Sequence, residues 1–173
     1  IKGVMNMSYQ EKRTVVSTIT GAIILITYCI YAFNKFQTGA ITSEDMKAWA
    51  GIMLVFIGIG VVSAIVIQIV FHILLSIAMA IKENVMNGNC DEKEIEKSIE
   101  NEMVTDEMDK LIELKSMRIG FIMAGIGFVF ALVTQLLDYS PAVLLNVLFI
   151  AFCVGSIFEG LAQLYYYRKG VRN

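Results

Sequence analysis

Residues Ala48 to Ile81 read AWAGIMLVFIGIGVVSAIVIQIVFHILLSIAMAI, thirty-four positions between Lys47 and Lys82 without one Asp, Glu, Lys or Arg. About 20 apolar residues at roughly 1.5 Å each cross a hydrocarbon core of about 30 Å, so this run is long enough to span a membrane. As a helix the whole run would measure about 51 Å, more than tilt alone absorbs. Three further charge-free runs accompany it: Thr14 to Asn34 with 21 residues, Ile119 to Leu137 with 19, and Tyr139 to Phe158 with 20. Beyond Glu159 the apolar character resumes as far as Tyr167. A backbone in lipid must satisfy its own N–H and C=O groups, which helices do. The sequence therefore predicts an all-α membrane protein. Four transmembrane helices, at about 14–34, 49–72, 118–138 and 141–164, form a single integral membrane domain over 1–173.

Composition agrees. The 173 residues are 57% hydrophobic and 17% charged with one Pro, and the mean hydropathy is +0.66. Soluble domains lie nearer half apolar and a quarter charged. A net charge of −2 provides no basic field for nucleic acid. The first run is too long for the apolar region of a secretory signal and lacks a small-x-small cleavage site after it.

Twelve of the fourteen Lys and Arg fall on one side of these spans. They are Lys2, Lys12 and Arg13 before the first span, Lys82, Lys93, Lys97, Lys110, Lys115 and Arg118 between the second and third, and Arg168, Lys169 and Arg172 after the fourth. Lys35 and Lys47 lie on the other. The positive-inside rule then expects both termini and the long connection in the cytoplasm of a bacterial plasma membrane. Tyr28, Tyr31, Phe33, Phe36, Trp49 and Tyr139 are placed to mark the outer boundary, and Tyr9 with Tyr165, Tyr166 and Tyr167 the inner one.

The excess length of the second run points to a long antiparallel cytoplasmic helical hairpin extending helices 2 and 3. The second helix is expected to continue to 87. Asn87-Gly88-Asn89 reads as the turn, and Asp91 with Glu94 as an N-cap and its capping-box partner. A cytoplasmic helix over 91–117 then leads into the third span. Ile73, Leu74, Ile77 and Ile81 are expected to be covered by Ile95, Ile99, Met103, Leu111 and Leu114. Between Lys82 and Arg118 stand eleven acids and six bases, which suit a solvated helix face or a docking surface for a basic partner.

Inside the spans, Gly120, Ala124, Gly127 and Ala131 follow one another at 4, 3 and 4 residues, a stripe along which another backbone can approach closely. Ala151, Gly155, Glu159 and Ala162 make a comparable stripe, which puts Glu159 on a packing side. Gln68, His72 and Ser76 share a face of the second helix. Counting residues from each boundary brings Glu159, Arg118, Gln68 and His72 to similar depth as a candidate polar cluster. A carboxylate there reads either as a carrier of a proton or cation, or as half of a structural ion pair with Arg118. A short internal match, Phe56-Ile57-Gly58 with Val61 and Ser63 against Phe149-Ile150-Ala151 with Val154 and Ser156, would imply parallel repeats if genuine.

Cys29, Cys90 and Cys153 fall in three different segments, with no disulfide framework and no Cys/His metal spacing. No nucleophile elbow, zinc-protease, phosphate-loop or dinucleotide motif is present. No metal, cofactor or enzymatic activity is expected.

The stretch Asp106-Glu107-Met108-Asp109-Lys110-Leu111-Ile112-Glu113-Leu114-Lys115-Ser116 resembles a pattern in small, uncharacterised bacterial multipass membrane proteins: D-E-R, three residues, I, two residues, K-[AS], then a transmembrane helix. Asp106, Glu107, Ile112, Lys115 and Ser116 match, and Met108 stands where that group has Arg. The resemblance implies a bacterial plasma membrane and a non-enzymatic role. Physically, Asp106 and Lys110 form a favourable i, i+4 pair, and Lys115 with Arg118 can reach anionic headgroups. The expected partners are membrane lipids and either a second copy, as a homodimer, or another membrane protein. The function expected is association, as a homo-oligomer or a subunit or regulator of another membrane system. A minimal proton- or cation-coupled transporter using Glu159, or a membrane immunity or sensing protein, are the alternatives.

Overall fold

The computed structural model describes residues 9–87 and 107–170. Four helices make up nearly all of them: α1 (Tyr9–Gln37), α2 (Met46–Asn87), α3 (Glu107–Leu136) and α4 (Pro141–Lys169). Each is long and apolar enough to cross a membrane.

The helix ends are set by local chemistry. The Ala48 N–H donates to Asp45 Oδ1 at 3.1 Å, so Asp45 satisfies one of the orphan amides that open α2. Between α3 and α4 the Tyr139 N–H reaches Thr134 O and the Asp138 N–H reaches Gln135 O, the paired bonds of a Schellman ending. Asp138 takes the left-handed position, with φ 58°. Pro141 then opens α4 at a position whose missing N–H costs nothing. The result is a tight antiparallel α3–α4 pair.

That pair forms the most extensive interface, followed by α1 on α4. α4 is thus the central helix. The apolar core lies at the end of the bundle closed by the connections 38–45 and 137–140. There Tyr28, Ala32, Ile41, Trp49, Met53, Phe56 and Ala142 pack together. Tyr28 is fully buried, with Phe149 on one side at 4.4 Å between ring centroids and Phe56 edge-on at 5.2 Å. The Trp49 ring N–H donates to Thr42 O at 3.0 Å. Tyr28 and Trp49 therefore serve as packing residues where a boundary belt was expected, while Tyr31, Phe33, Phe36 and Tyr139 are exposed.

α2 leaves this bundle after Phe56. It touches α1 and α4 near its start, and Val61, Val62, Ile65, Val66, Ile69 and Val70 are exposed further along. Among the described residues α2 and α3 share no substantial interface. Of the expected apolar seam, Ile73, Leu74, Ile77, Leu111 and Leu114 are exposed, and Ile81, Ile95, Ile99 and Met103 lie outside the described side chains. On α3 the buried residue of that region is Ile112 instead. α2 does run unbroken to Asn87. The expected turn at Gly88, the helix from 91 and Asp106 lie outside the described residues.

Candidate functional site

The small-residue stripes meet. A Cβ added at Gly127 would overlap the Ala151 side chain, and one at Gly155 would lie 2.8 Å from Gly120 O and 3.4 Å from Ala124 N. Ala131, further along the same α3 stripe, is fully buried. One step deeper toward the other end of the seam, a Cβ at Gly120 would lie 3.0 Å from Glu159 Cβ and 3.1 Å from Glu159 Oε2. The absence of a side chain at Gly120 is what leaves room for the glutamate. A second close approach joins α1 to α4, where Gly160 faces Thr18 so tightly that any Cβ would overlap the threonine.

Toward the far end of α4 these three helices border an open polar cavity of about 280 Å³. α1 contributes Gln10, Arg13, Thr14, Ser17 and Thr18, one helical face at steps of three and four. α4 contributes Ser156, Glu159, Gln163 and Tyr167, and α3 contributes Asp109 and Glu113. The walls are cross-linked in part. The Thr14 hydroxyl lies 2.9 Å from Gln10 O and 3.1 Å from Gln163 Oε1. A hydroxyl carries one proton, so it donates to these two in turn. Tyr167 donates a hydrogen bond to Asp109, and at the rim Arg168 Nε pairs with Glu11 Oε1 at 3.4 Å.

Glu159, Glu113 and Arg13 take no part in that cross-linking: among the described residues none of the three forms a hydrogen bond or ion pair. The cavity therefore presents three carboxylates and one guanidinium, of which Arg13, Glu113 and Glu159 keep their hydrogen-bonding capacity for an occupant. No three His, Cys, Asp or Glu side chains among the described residues converge closely enough to hold a metal ion. The carboxylates are spread along the cavity. Asp109 and Glu113 stand about 6 Å apart along α3, and Glu113 about 10 Å from the level of Gly120 and Glu159.

The four residues expected to cluster are not brought together. Glu159 lines the cavity. Gln68 and His72 line a separate shallow groove on α2 with Ile65, Ile69 and Ile73. Arg118 is exposed and lines neither. Equal depth did not become contact, because α2 has diverged from the bundle by Gln68 and Arg118 is exposed outside the cavity. Arg13 supplies the basic side chain in its place. Of the juxtamembrane motif, Glu107 and Lys115 lie on the opening turns of α3, each engaged with a partner. Ile112 and Ser116 are buried, and the Ser116 hydroxyl donates to Ile112 O.

Sequence reading missed Arg13, Thr14, Asp109, Glu113, Gln163 and Tyr167. Their signal was available in the polar face Gln10, Thr14, Ser17, Gly21 at the start of the first run and Ser156, Glu159, Gln163, Tyr167 at the end of the last. Comparison with protein-family models, curated proteins and solved structures finds no match to this chain.

Proposed function

We propose that this is a small bacterial plasma-membrane protein whose four helices cross the bilayer with both termini inside. In this reading its polar cavity receives a cationic group at Glu159 from the cytoplasmic side, as in a minimal proton- or cation-coupled transporter. The observation that carries the reading is that Glu159 lines an open cavity and has no ion-pair partner among the described residues. An unpaired carboxylate in a bilayer is costly, and it is retained where it exchanges a proton or a cation. The test uses liposomes holding a pH-sensitive dye, with an imposed ethidium gradient. Wild-type protein should couple ethidium movement to proton movement, and Glu159→Gln should abolish the coupling. Equal proton flux in both, or none in wild type, rejects the reading.

A second reading, association as a homo-oligomer or as a regulator of another membrane protein, is favoured by α2. A Cβ added at Gly51 or Gly58 would meet nothing within 4 Å, so that helix keeps a small-residue face on which another helix could pack. A strictly monomeric protein in detergent that co-purifies with no membrane partner would reject it.

A further inference from the structure

The mouth of the cavity carries opposite charges on opposite walls. Arg13, on α1, immediately precedes the charge-free run that begins at Thr14, and Glu113, on α3, lies six residues before the run that begins at Ile119. Both line the cavity, yet they form no ion pair with each other. The reason is architectural: α1 and α3 each pack on α4 and share no substantial interface, so the two walls stand apart. The antiparallel pairing fixes the level. Thr14 meets Gln163, and Asp109 meets Tyr167, so Arg13 and Glu113 lie on different walls of the mouth at one level, near Gln163. In a spanning protein this level is the headgroup layer, because each residue stands just outside its apolar run.

We infer that the mouth binds a molecule carrying a primary ammonium and a phosphate diester or monoester two carbons apart, the phosphoethanolamine unit, with phosphate on Arg13 and ammonium on Glu113. A guanidinium presents a planar fork of donors suited to phosphate oxygens. A primary ammonium has three N–H donors for carboxylate oxygens, which a quaternary ammonium lacks. A purely anionic headgroup would leave Glu113 facing like charge, and a simple amine would leave Arg13 unserved. α1 and α3 share no substantial interface, so in this inference a lipid headgroup enters between them while its chains stay in the bilayer. The inference rests on the reading of the four helices as membrane-spanning, and it uses residues other than Glu159.

The full chain is reconstituted in nanodiscs containing equal amounts of phosphatidylethanolamine, phosphatidylcholine and phosphatidylglycerol with identical acyl chains, and lipid retained after transfer to detergent is counted by native mass spectrometry. Phosphatidylethanolamine should be retained at least several-fold over the other two. Arg13→Gln and Glu113→Gln should each bring the ratio close to one, with helicity by circular dichroism unchanged. Added phosphatidylethanolamine should raise the unfolding temperature of the wild type more than phosphatidylcholine does, a reading that needs no variant. Displacement of the lipid by soluble O-phosphoethanolamine would support the same chemistry with the free molecule as its source. Equal retention of phosphatidylethanolamine and phosphatidylcholine, or stronger retention of phosphatidylglycerol lost in Arg13→Gln, would overturn the inference. Retention is read without any flux, so its failure leaves the reading of Glu159 standing, and the failure of that reading leaves retention unaffected.

Discussion

The Tyr28 hydroxyl donates to Asn146 Oδ1 at 2.7 Å, and the Asn146 amide donates to Ala142 O at 2.8 Å, so a partly buried chain of two bonds ties α1 to the first turns of α4. Removing the hydroxyl leaves Asn146 Oδ1 without its donor in an apolar setting. Polar groups stranded in soluble cores cost about 1–3 kcal/mol, whereas hydrogen bonds measured between membrane helices average about 0.6 kcal/mol. Tyr28→Phe is therefore expected to lower stability by about 1 kcal/mol in detergent unfolding. Tyr31→Phe, at an exposed position, should change it by well under half as much. This role was not legible in the sequence. A tyrosine near the end of an apolar run looks the same whether it faces headgroups or turns inward, and what decides is the pair of rings, Phe56 and Phe149, that the fold brings to it. Glu159 was legible, because a carboxylate between small residues at helical spacing must face a neighbour. Its surroundings were not. Arg13 reads from sequence as a topogenic charge, and nothing in its spacing shows that α1 packs its polar face onto α4.

Among elements, the α3–α4 seam was the most legible, since small residues at steps of three and four specify both a face and a close approach. The geometry permits a sharp contrast along α3. At Gly127 a methyl would overlap Ala151, while at Gly125 it would meet nothing within 4 Å. Replacing Gly by Ala in a helix gains up to about 1 kcal/mol from propensity. Overpacking a tight contact costs about 1–3 kcal/mol. Gly127→Ala should therefore lower the unfolding temperature and Gly125→Ala should hold or raise it, as read by thermal denaturation in one detergent. If both variants behave alike, the seam is looser than the structure has it. The short internal match fares differently. Phe56 and Phe149 do flank one ring, but Ala151 fills against Gly127 whereas its counterpart Gly58 faces open space, so matching letters do not hold equivalent contacts. α2 illustrates the limit at this scale. Its length and continuity were legible from the charge-free run, whereas its departure from the bundle depends on which neighbours come within reach.

For the whole molecule, the decisive quantity is the asymmetry of Lys and Arg around four spans, which biases the orientation in the membrane by the electrostatics of insertion. The structure gives this rule two well-placed reporters. Gly39, at φ 66°, sits in the connection between α1 and α2, and Gly170, at φ 73°, ends α4, where its N–H bonds Tyr166 O at 2.8 Å. Both are exposed, and a Cβ added at either would meet nothing within 4 Å. In a background with Cys29, Cys90 and Cys153 replaced by Ser, a single cysteine at each position can be offered a membrane-impermeant maleimide. Gly39→Cys should be labelled on intact cells and Gly170→Cys after permeabilisation, since twelve of fourteen basic residues flank the side that carries Gly170. A left-handed glycine replaced by cysteine strains its turn, so Thr38→Cys and Lys169→Cys serve as neighbours without that strain. The reverse labelling pattern would put the cavity mouth, with Arg13 and Glu113, on the outer face. Glu159 would then draw its cation from outside, while the pairing of opposite charges across the mouth would still match a headgroup in whichever leaflet holds it.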